Sequence, residues 1–255
     1  MPENKRPPAS HRLIGWRPDD AVGISEAIDL MSGGEVSVEG RLPWSSNQTF
    51  LVTVDDGTHQ VRAVYKPFQG ERPLWDFPDG LYRREVAAYV LSEALGWGLV
   101  PPTIERDSGP FGIGSFQLFV DADFEQHYFT LFEGGAHHAA LQAVCAFDLA
   151  ANNTDRKSGH VLLGTCGDIW AIDHGVCFNA EPKLRTVIWD YAAEPIPDAL
   201  LADLDRVARD LPEELVHTLG HEEVEALAGR LGLIVRTGIF PEPDPNRHAY
   251  PWPLV

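Results

Sequence analysis

The spacing of apolar residues changes several times along the chain, and each spacing predicts a different element. Apolar side chains at helical intervals predict a short amphipathic helix within residues 19–34, which ends at a pair of glycines. Segments rich in Val, Phe and Tyr then predict three strands, at residues 35–42, 49–54 and 60–67. The dipeptide Asp56-Gly57 between the last two is typical of a hairpin turn. The pattern therefore predicts an antiparallel meander.

The following part of the chain changes from strands to helices. Residues 81–98 predict a helix with one apolar stripe that stops at Gly96, and two further strands follow, at residues 101–105 and 112–120. A helix at residues 137–153 begins a second lobe, which continues with two short strands and a mainly helical region at residues 197–232. The segment from residue 241 onward is rich in proline, so we expect it to be extended, either as a docking tail or as a disordered end.

These elements predict an α+β fold of two lobes. We assign residues 1–120 to an N-lobe that consists of an antiparallel sheet and a helix. We expect this lobe to bind the phosphates of a nucleotide. Residues 121–240 form a mainly helical C-lobe with a catalytic loop and a hairpin, and residues 241–255 form a Pro-rich tail. We expect the residues that select the substrate to lie in the stretch 181–255.

The composition narrows the possible partners. The chain has 38 acidic and 20 basic side chains and a formal net charge of −18. This charge repels the phosphates of nucleic acids and the anionic face of a membrane. An apolar run of about 18 residues, which suggests a membrane-spanning helix, is absent. We therefore expect a cytoplasmic protein with no nucleic-acid partner and no stable membrane anchor.

Two aspartates after the predicted C-lobe helix have an informative spacing. Asp155 lies in a polar loop, His160 follows five positions later, and Asp173 ends the second short strand. In protein kinases, an aspartate that receives the proton of the acceptor hydroxyl precedes a metal-binding asparagine by five residues, and a second metal-binding aspartate follows in a D-F-G motif. A hairpin between residues 161 and 172 brings both metal positions to one edge of a cleft. The spacing predicts Asp155 as a catalytic residue, and Asp173 and His160 as metal ligands.

The kinase pattern also needs a lysine for the phosphates and a helical glutamate that positions this lysine. Lys66, at the end of a predicted strand, and Glu85, in the next helix, follow in that order. A glycine-rich phosphate loop is absent from the sequence. In its place, the hydroxyl groups of Ser45 and Ser46 and nearby backbone N–H groups are suited to bind phosphate oxygens.

At these residues the sequence resembles the type II phosphatidylinositol 4-kinases and the wider phosphatidylinositol 3- and 4-kinase-like superfamily, and it looks like a small actinobacterial kinase-related branch of it. The matching segments lie between about residues 40 and 180 and are SSNQTFLV, AVYKP, GSFQLFVDAD, NNTDR and WAIDHGVCF. The resemblance implies a two-lobed protein-kinase-like fold that uses ATP with Mg²⁺ or Mn²⁺.

The resemblance also implies roles for individual residues of the nucleotide site. Ser45, Ser46 and Asn47 would line the triphosphate. The hinge, whose backbone reads adenine, would be the stretch 117–120, which includes Gln117, Phe119 and Val120.

The remaining roles concern catalysis and metal binding. Lys66 would contact the phosphates, with Glu85 orienting it, Asp155 would be the catalytic aspartate, and Asp173 would bind metal. The family has an asparagine at the position of His160, and it has a lipidated cysteine cluster that this chain lacks between Lys66 and Glu85.

Two hypotheses for the function stay open. In the first, the protein is an ATP-dependent kinase that transfers a phosphoryl group to a hydroxyl of an unidentified protein or small-molecule acceptor. In the second, it is a nucleotide-binding pseudokinase or scaffold without turnover. His160 motivates the second hypothesis, because imidazole suits Mn²⁺ or Zn²⁺ and is a poor ligand for hard Mg²⁺.

Overall fold

The first lobe is built on a five-stranded antiparallel sheet, preceded by a short hairpin and a helix. The structure, a computed structural model, describes residues 13–15, 21–43, 45 and 47–255. In chain order, the elements of this lobe are β1 (Leu13–Gly15), β2 (Ala21–Gly23), α1 (Ile24–Gly33), β3 (Glu35–Arg41), β4 (Phe50–Asp55), β5 (Gln60–Pro67), α2 (Leu81–Leu95), β6 (Thr103–Gly109) and β7 (Gly112–Leu118). The sheet has the strand order β3-β4-β5-β7-β6.

The predicted meander and its turn are confirmed. Strands β4 and β5 pair in antiparallel register, and every second residue of each strand is buried on the face that packs against α1. At the turn, Gly57 has a φ of 87°, which glycine adopts without strain. The Asp56 carboxylate accepts the N–H groups of Thr58 and His59, both at 2.8 Å. The turn residues thus set the register of the pair.

Helix α2 is shared between the two lobes. Its apolar residues Val86, Val90 and Leu91 belong to the same buried cluster as the helices of the second lobe, whereas the sheet and α1 form a separate cluster. The helix also contacts strands β6 and β7. The predicted lobe boundary at residue 120 divides the chain in sequence. In the packing, however, α2 contacts residues on both sides of that boundary.

The second lobe is mainly helical, as the sequence predicts. In chain order, the elements are β8 (Ala122–Asp123), α3 (Tyr128–Gly134), α4 (His138–Ala151), β9 (Val161–Gly164), β10 (Ile169–Ala171), α5 (Asp198–Arg209), α6 (Glu213–Thr218) and α7 (His221–Thr237). Strands β9 and β10 form the expected antiparallel hairpin. The short strand β8, which the pattern did not predict, pairs with β9. The α+β fold class is confirmed.

The Pro-rich tail, residues 241–255, has no helix or strand but docks on the second lobe. The carbonyl of Ala249 accepts the backbone N–H of Thr186 and the indole N–H of Trp189, both at 3.1 Å. The carbonyl of Leu254 accepts the N–H of Ser158 at 2.8 Å. The tail thus packs against its own chain, and a role as a docking tail for a partner stays a prediction.

One buried ion pair ties α2 to the second lobe and gives a test of this packing. Arg84 is 3% exposed and donates to Glu223 in the first turn of α7. We expect Arg84→Met to lower the free energy of unfolding by about 2–4 kcal/mol, because Glu223 then loses its partner in a partly buried position. Urea unfolding measures the loss.

The neighbouring Arg83 is a matched control for this variant. It lies on the same helix but is exposed, and its nitrogen lies 3.9 Å from Glu105. Surface pairs of this kind contribute about 0–1 kcal/mol. Arg83→Met should therefore be nearly neutral, and equal losses in the two variants would contradict the proposed role of Arg84.

Candidate active site

Lys66 joins two carboxylates from different parts of the fold. It lies one residue before the end of β5, and its Nζ contacts Oε1 of Glu85 in α2 and Oδ1 of Asp173, the latter at 2.8 Å. Asp173 lies in the loop after β10, and the other oxygen of Glu85 accepts the N–H of His174 at 3.0 Å. The structure thus brings together the lysine, the glutamate and the aspartate that the sequence singled out.

Lys66 and Asp173 stabilise each other's charged form. Burial opposes the charge of Lys66, but Asp173 and Glu85 raise its pKa above the ordinary lysine value. Lys66 in turn holds the pKa of Asp173 well below its usual range. Burial raises the pKa of Glu85, against the attraction of Lys66. Lys66 and Asp173 are therefore both charged at neutral pH, as phosphate and metal binding require.

Asp155 lies in the loop between α4 and the hairpin, with its backbone held in place. The left-handed conformation of Asn152, with a φ of 51°, ends α4. The side chain of Asn153 then accepts the N–H of Asp155 at 3.0 Å. The Asp155 carboxylate is 34% exposed and lies 3.1 Å from the Lys157 ammonium. Burial raises the pKa of Asp155, while Lys157 opposes this shift.

The next residue, Arg156, is fully buried and holds the loop to the rest of the lobe. Its guanidinium forms a salt bridge with Asp148 of α4 at 2.9 Å. It also donates to the carbonyl of Ile172, at 2.7 Å, and lies 2.8 Å from Nε2 of His174. Sequence reasoning missed this pair, although an aspartate within the apolar segment VCAFDLAA was a usable signal, because a buried carboxylate needs a partner.

His160 lies beside Asp173, as the hairpin argument predicts. Its Nε2 is 3.5 Å from Oδ2 of Asp173. Burial lowers the pKa of His160 to about 4, so the imidazole is neutral at physiological pH. A neutral imidazole nitrogen and a carboxylate are therefore side by side.

The segment between β3 and β4 is the part of the site that the structure describes least. Ser46 lies outside the described residues. The Ser45 hydroxyl is 2.7 Å from that of Thr49, and the Asn47 side chain accepts the N–H of Arg72 at 3.0 Å. Both side chains thus take part in hydrogen bonds of the loops, and a role at the triphosphate stays a prediction.

The predicted hinge spans the end of β7 and the two residues that follow it. Gln117 lies inside β7, paired with both neighbouring strands, and its buried side chain donates to Thr103. The N–H of Phe119 donates to the carbonyl of Arg62 at 2.9 Å. The N–H of Val120 forms no backbone hydrogen bond within the described residues. Its side chain belongs to a small apolar cluster, which also contains Ala122, Leu162 and Trp170.

Neither a membrane span nor a complete set of metal ligands occurs in the described part of the chain. None of its helices has the length and apolar character needed to cross a bilayer. It also contains no group of three or more His, Cys, Asp or Glu side chains arranged to hold a metal ion. Any ion at Asp173 and His160 must therefore take further ligands from elsewhere.

Three solved structures share this architecture, each with a TM-score of 0.53. Hydra Fam20 with sugar is 14% identical, with 83% of this chain and 86% of that chain covered. The Golgi casein kinase with Mn and ADP bound is 14% identical, with 91% and 80% covered. The Helicobacter pylori proinflammatory kinase CtkA is 11% identical, with 82% and 94% covered. The chain therefore has a protein-kinase-like fold.

Within this class, the chain belongs to the family of Protein Rv2133c from Mycobacterium tuberculosis. The two are 38% identical over an alignment 262 residues long, and the match covers 88% of this chain and 94% of that protein. Phosphatidylinositol 4-kinase gamma 2 of Arabidopsis thaliana is 25% identical over an alignment 217 residues long, and the match covers 66% of this chain and 38% of that longer protein. No family model matches the sequence.

The buried pair below Asp155 gives a second test. We expect Arg156→Met to lower the free energy of unfolding by about 3–5 kcal/mol, because Asp148 then remains buried without its partner. Arg236→Met, at an exposed position of α7, is the matched control and should be nearly neutral. Urea unfolding compares the two, and a loss below about 1 kcal/mol in Arg156→Met would contradict the structural role assigned to the pair.

Proposed function

We propose that the protein is an ATP-dependent phosphotransferase that transfers the γ-phosphoryl group to a hydroxyl group. The contact network of Lys66 carries the proposal, because one cation joins the Glu85 and Asp173 carboxylates in a single cluster. Phosphoryl transfer needs a cation for the phosphates, a carboxylate for the metal and a further carboxylate for the acceptor. Lys66, Asp173 and Asp155 match these three needs.

Asp155 acts on the acceptor. Its raised pKa and partial exposure suit a group that hydrogen-bonds a hydroxyl and receives its proton as the new bond to phosphorus forms. The hydrogen bond from its N–H to Asn153 and the neighbouring Arg156 anchor keep the carboxylate in place. Catalysis then depends mainly on orientation and on charge neutralisation.

Asp173 and His160 would hold Mg²⁺ or Mn²⁺. The donor set fits such an ion, because one carboxylate and one neutral imidazole leave further coordination positions for phosphate oxygens and water. When bound, the ion neutralises negative charge on the phosphates. The imidazole makes Mn²⁺ the better match, because Mg²⁺ prefers oxygen ligands.

We assign the adenine to the hinge and the phosphates to the β3–β4 segment. The N–H of Val120 is the part of the hinge that makes no backbone hydrogen bond within the described residues, and the apolar cluster beside it offers a surface for a flat base. Ser45, Ser46 and Asn47 are, together with Lys66, the candidates for contacts with the triphosphate.

We further propose that this chain is of the phosphatidylinositol 3-/4-kinase-like type. The motif order and the similarity to the plant phosphatidylinositol 4-kinase support this placement. The acceptor that we propose is a protein or a small molecule, and we do not infer it from the name of that relative. We also propose a cytoplasmic location. The net charge of −18 disfavours a nucleic-acid partner and a stable membrane anchor.

One observation favours a second candidate, a nucleotide-binding pseudokinase or scaffold. His160 stands where kinases place a metal-binding asparagine, and Asp173 already has Lys66 as its counter-charge. A protein of this kind would bind ATP without releasing ADP. Incubation with ATP and either metal, followed by measurement of ADP and of the protein mass, separates the candidates. Added phosphate supports the kinase, and added AMP indicates nucleotidyl transfer.

The role of Asp155 gives a kinetic prediction. We expect Asp155→Ala to lower kcat for phosphoryl transfer by about 100-fold or more, because the hydroxyl loses its proton acceptor. The KM for ATP should change far less, since Asp155 does not contact the nucleotide in the proposed arrangement. Steady-state kinetics with ADP detection measures both.

Asp29→Ala is the matched control for this prediction. Asp29 is an exposed carboxylate on α1, outside the site, and its loss should leave turnover unchanged. Wild-type turnover in Asp155→Ala would show that the catalytic assignment is incorrect.

The metal preference tests His160 separately. We expect wild-type protein to prefer Mn²⁺ over Mg²⁺, and His160→Asn to shift the preference toward Mg²⁺ by about 10-fold, because an amide oxygen suits the harder ion. Turnover in each metal, and the affinity of each metal in the presence of ADP, provide the readouts. An unchanged ratio of the two metals in His160→Asn would exclude His160 as a metal ligand.

A further inference from the structure

An open pocket has Asp155 in its lining. It has a volume of about 380 Å³, and its lining includes Arg72, Leu74 and Phe77 from the segment before α2 and Asp155, Val176 and Arg185 from the second lobe. Lys66 and Asp173 do not line this pocket. A molecule bound here therefore reaches the Asp155 carboxylate without displacing a group from Lys66 or Asp173. Asn47, a candidate contact of the triphosphate, also lines the pocket, so the two ligands would lie next to each other. We call this pocket the acceptor pocket.

The two arginines of the acceptor pocket lack acidic partners. Carboxylates are close by, but Asp155 pairs with Lys157, and Asp76 pairs with Lys183 at 3.1 Å. Arg72 and Arg185 are exposed and form no ion pair with any carboxylate in the described ranges. In a chain with 38 acidic and 20 basic side chains, these two arginines supply positive charge to the pocket that contains Asp155.

The backbone anchors both arginines. The N–H of Arg185 donates to the carbonyl of Asn153 at 2.9 Å, and the carbonyl of Arg185 accepts the N–H of Arg156 at 3.0 Å. These two partners flank Asp155 in the sequence, so Arg185 runs alongside the catalytic loop. The N–H of Arg72 donates to the side chain of Asn47 at 3.0 Å. The guanidinium groups thus extend from held positions, which suits specific recognition.

Lys183 closes the wall of the acceptor pocket and is not available in the same way. Its ammonium is bound to Asp76 and lies 5.6 Å from the ring centres of both Trp75 and Phe77. The free positive charge of the pocket therefore belongs to Arg72 and Arg185. Leu74, Phe77 and Val176 supply an apolar surface between them.

We infer that the acceptor is a small hydroxyl compound that carries its own phosphate or carboxylate group, which Arg72 and Arg185 bind while its hydroxyl faces Asp155. The inference rests on the proposed phosphotransferase function. Arginine binds such anions through two parallel hydrogen bonds, so it orients the compound as well as attracting it. A volume of about 380 Å³ suits a small molecule.

The reaction balances with this assignment. The acceptor oxygen forms a bond to the γ-phosphorus of ATP, and the bond from that phosphorus to the β–γ bridging oxygen breaks. The electron pair of the broken bond leaves with ADP, and the hydroxyl proton moves to Asp155. The anionic group of the acceptor is unchanged and serves only for binding.

Matched pairs of acceptors test the inference. The pairs are glycerol and glycerol 3-phosphate, glucose and glucose 6-phosphate, and myo-inositol and myo-inositol phosphate, assayed by ADP release and by product mass. We expect the anionic member of a pair to have a kcat/KM about 10- to 100-fold higher, the range for charge-assisted hydrogen bonds. Phosphatidylinositol vesicles carry the same chemistry on a lipid, so they show whether the source is soluble or membrane-bound. Casein tests a protein acceptor.

Variants then connect this preference to the two arginines. Arg72→Gln and Arg185→Gln should each reduce the ratio between the charged and uncharged acceptors by about 10-fold, and Arg185→Lys should retain part of it. Arg236→Gln, an exposed arginine on α7 with no ion pair in the described structure, is the control and should leave the ratio unchanged.

Calorimetry keeps the test independent of turnover. The anionic compounds are titrated into protein that is saturated with Mn²⁺ and a non-hydrolysable ATP analogue. Binding that is lost in the Arg72→Gln/Arg185→Gln double variant supports the inference even if no ADP is released, in which case only the kinase proposal fails. Equal use or equal binding of charged and uncharged partners, or a clear preference for casein, would overturn the inference while leaving kinase activity intact.

Discussion

The loop that carries Asp155, which we propose as the catalytic loop, depends on the buried salt bridge between Arg156 and Asp148. A buried charge is energetically costly unless it is fully paired. Because Arg156 is buried and paired with Asp148, the loop is restricted to conformations that keep this pair. The same guanidinium binds the carbonyl of Ile172 and contacts His174, on either side of Asp173. One interaction thus fixes the distance between the loop that carries Asp155 and the loop that carries Asp173. The proposed acceptor and metal positions are coupled through it.

A second constraint acts between the lobes. Lys66 comes from the sheet, Glu85 from the helix that both lobes share, and Asp173 from the second lobe. Since α2 packs into the larger core and is also tied to α7 through Arg84, Glu85 is held by the second lobe as much as by the first. The two contacts of Lys66 therefore depend directly on the relative position of the lobes. A shift of the sheet that separates Lys66 from Glu85 would also remove the counter-charge of Asp173.

The sequence allowed us to identify those candidate residues that a known order and spacing along the chain defines. Lys66, Glu85, Asp155 and Asp173 occur in the order and spacing of the kinase pattern, and the Asp56-Gly57 turn sets the local register. The sequence did not identify Arg156, because an arginine in a polar loop looks exposed until its burial is known. We expect the acceptor-selecting residues in 181–255, and Arg185 of the proposed acceptor pocket lies there, whereas Arg72 and Phe77 come from the loop before α2. Such contacts between distant segments leave no periodic signal.

The docked tail lies against the loop that carries Asp155 but contributes no residue to the acceptor pocket. Ala249 binds the backbone of Thr186, and Leu254 binds that of Ser158. Asp155, Arg72 and Arg185 all line the pocket, whereas Lys66 and Asp173 do not. In the arrangement that we propose, two positive charges beside the Asp155 carboxylate therefore bind an anionic acceptor, in a molecule whose overall charge would otherwise repel it.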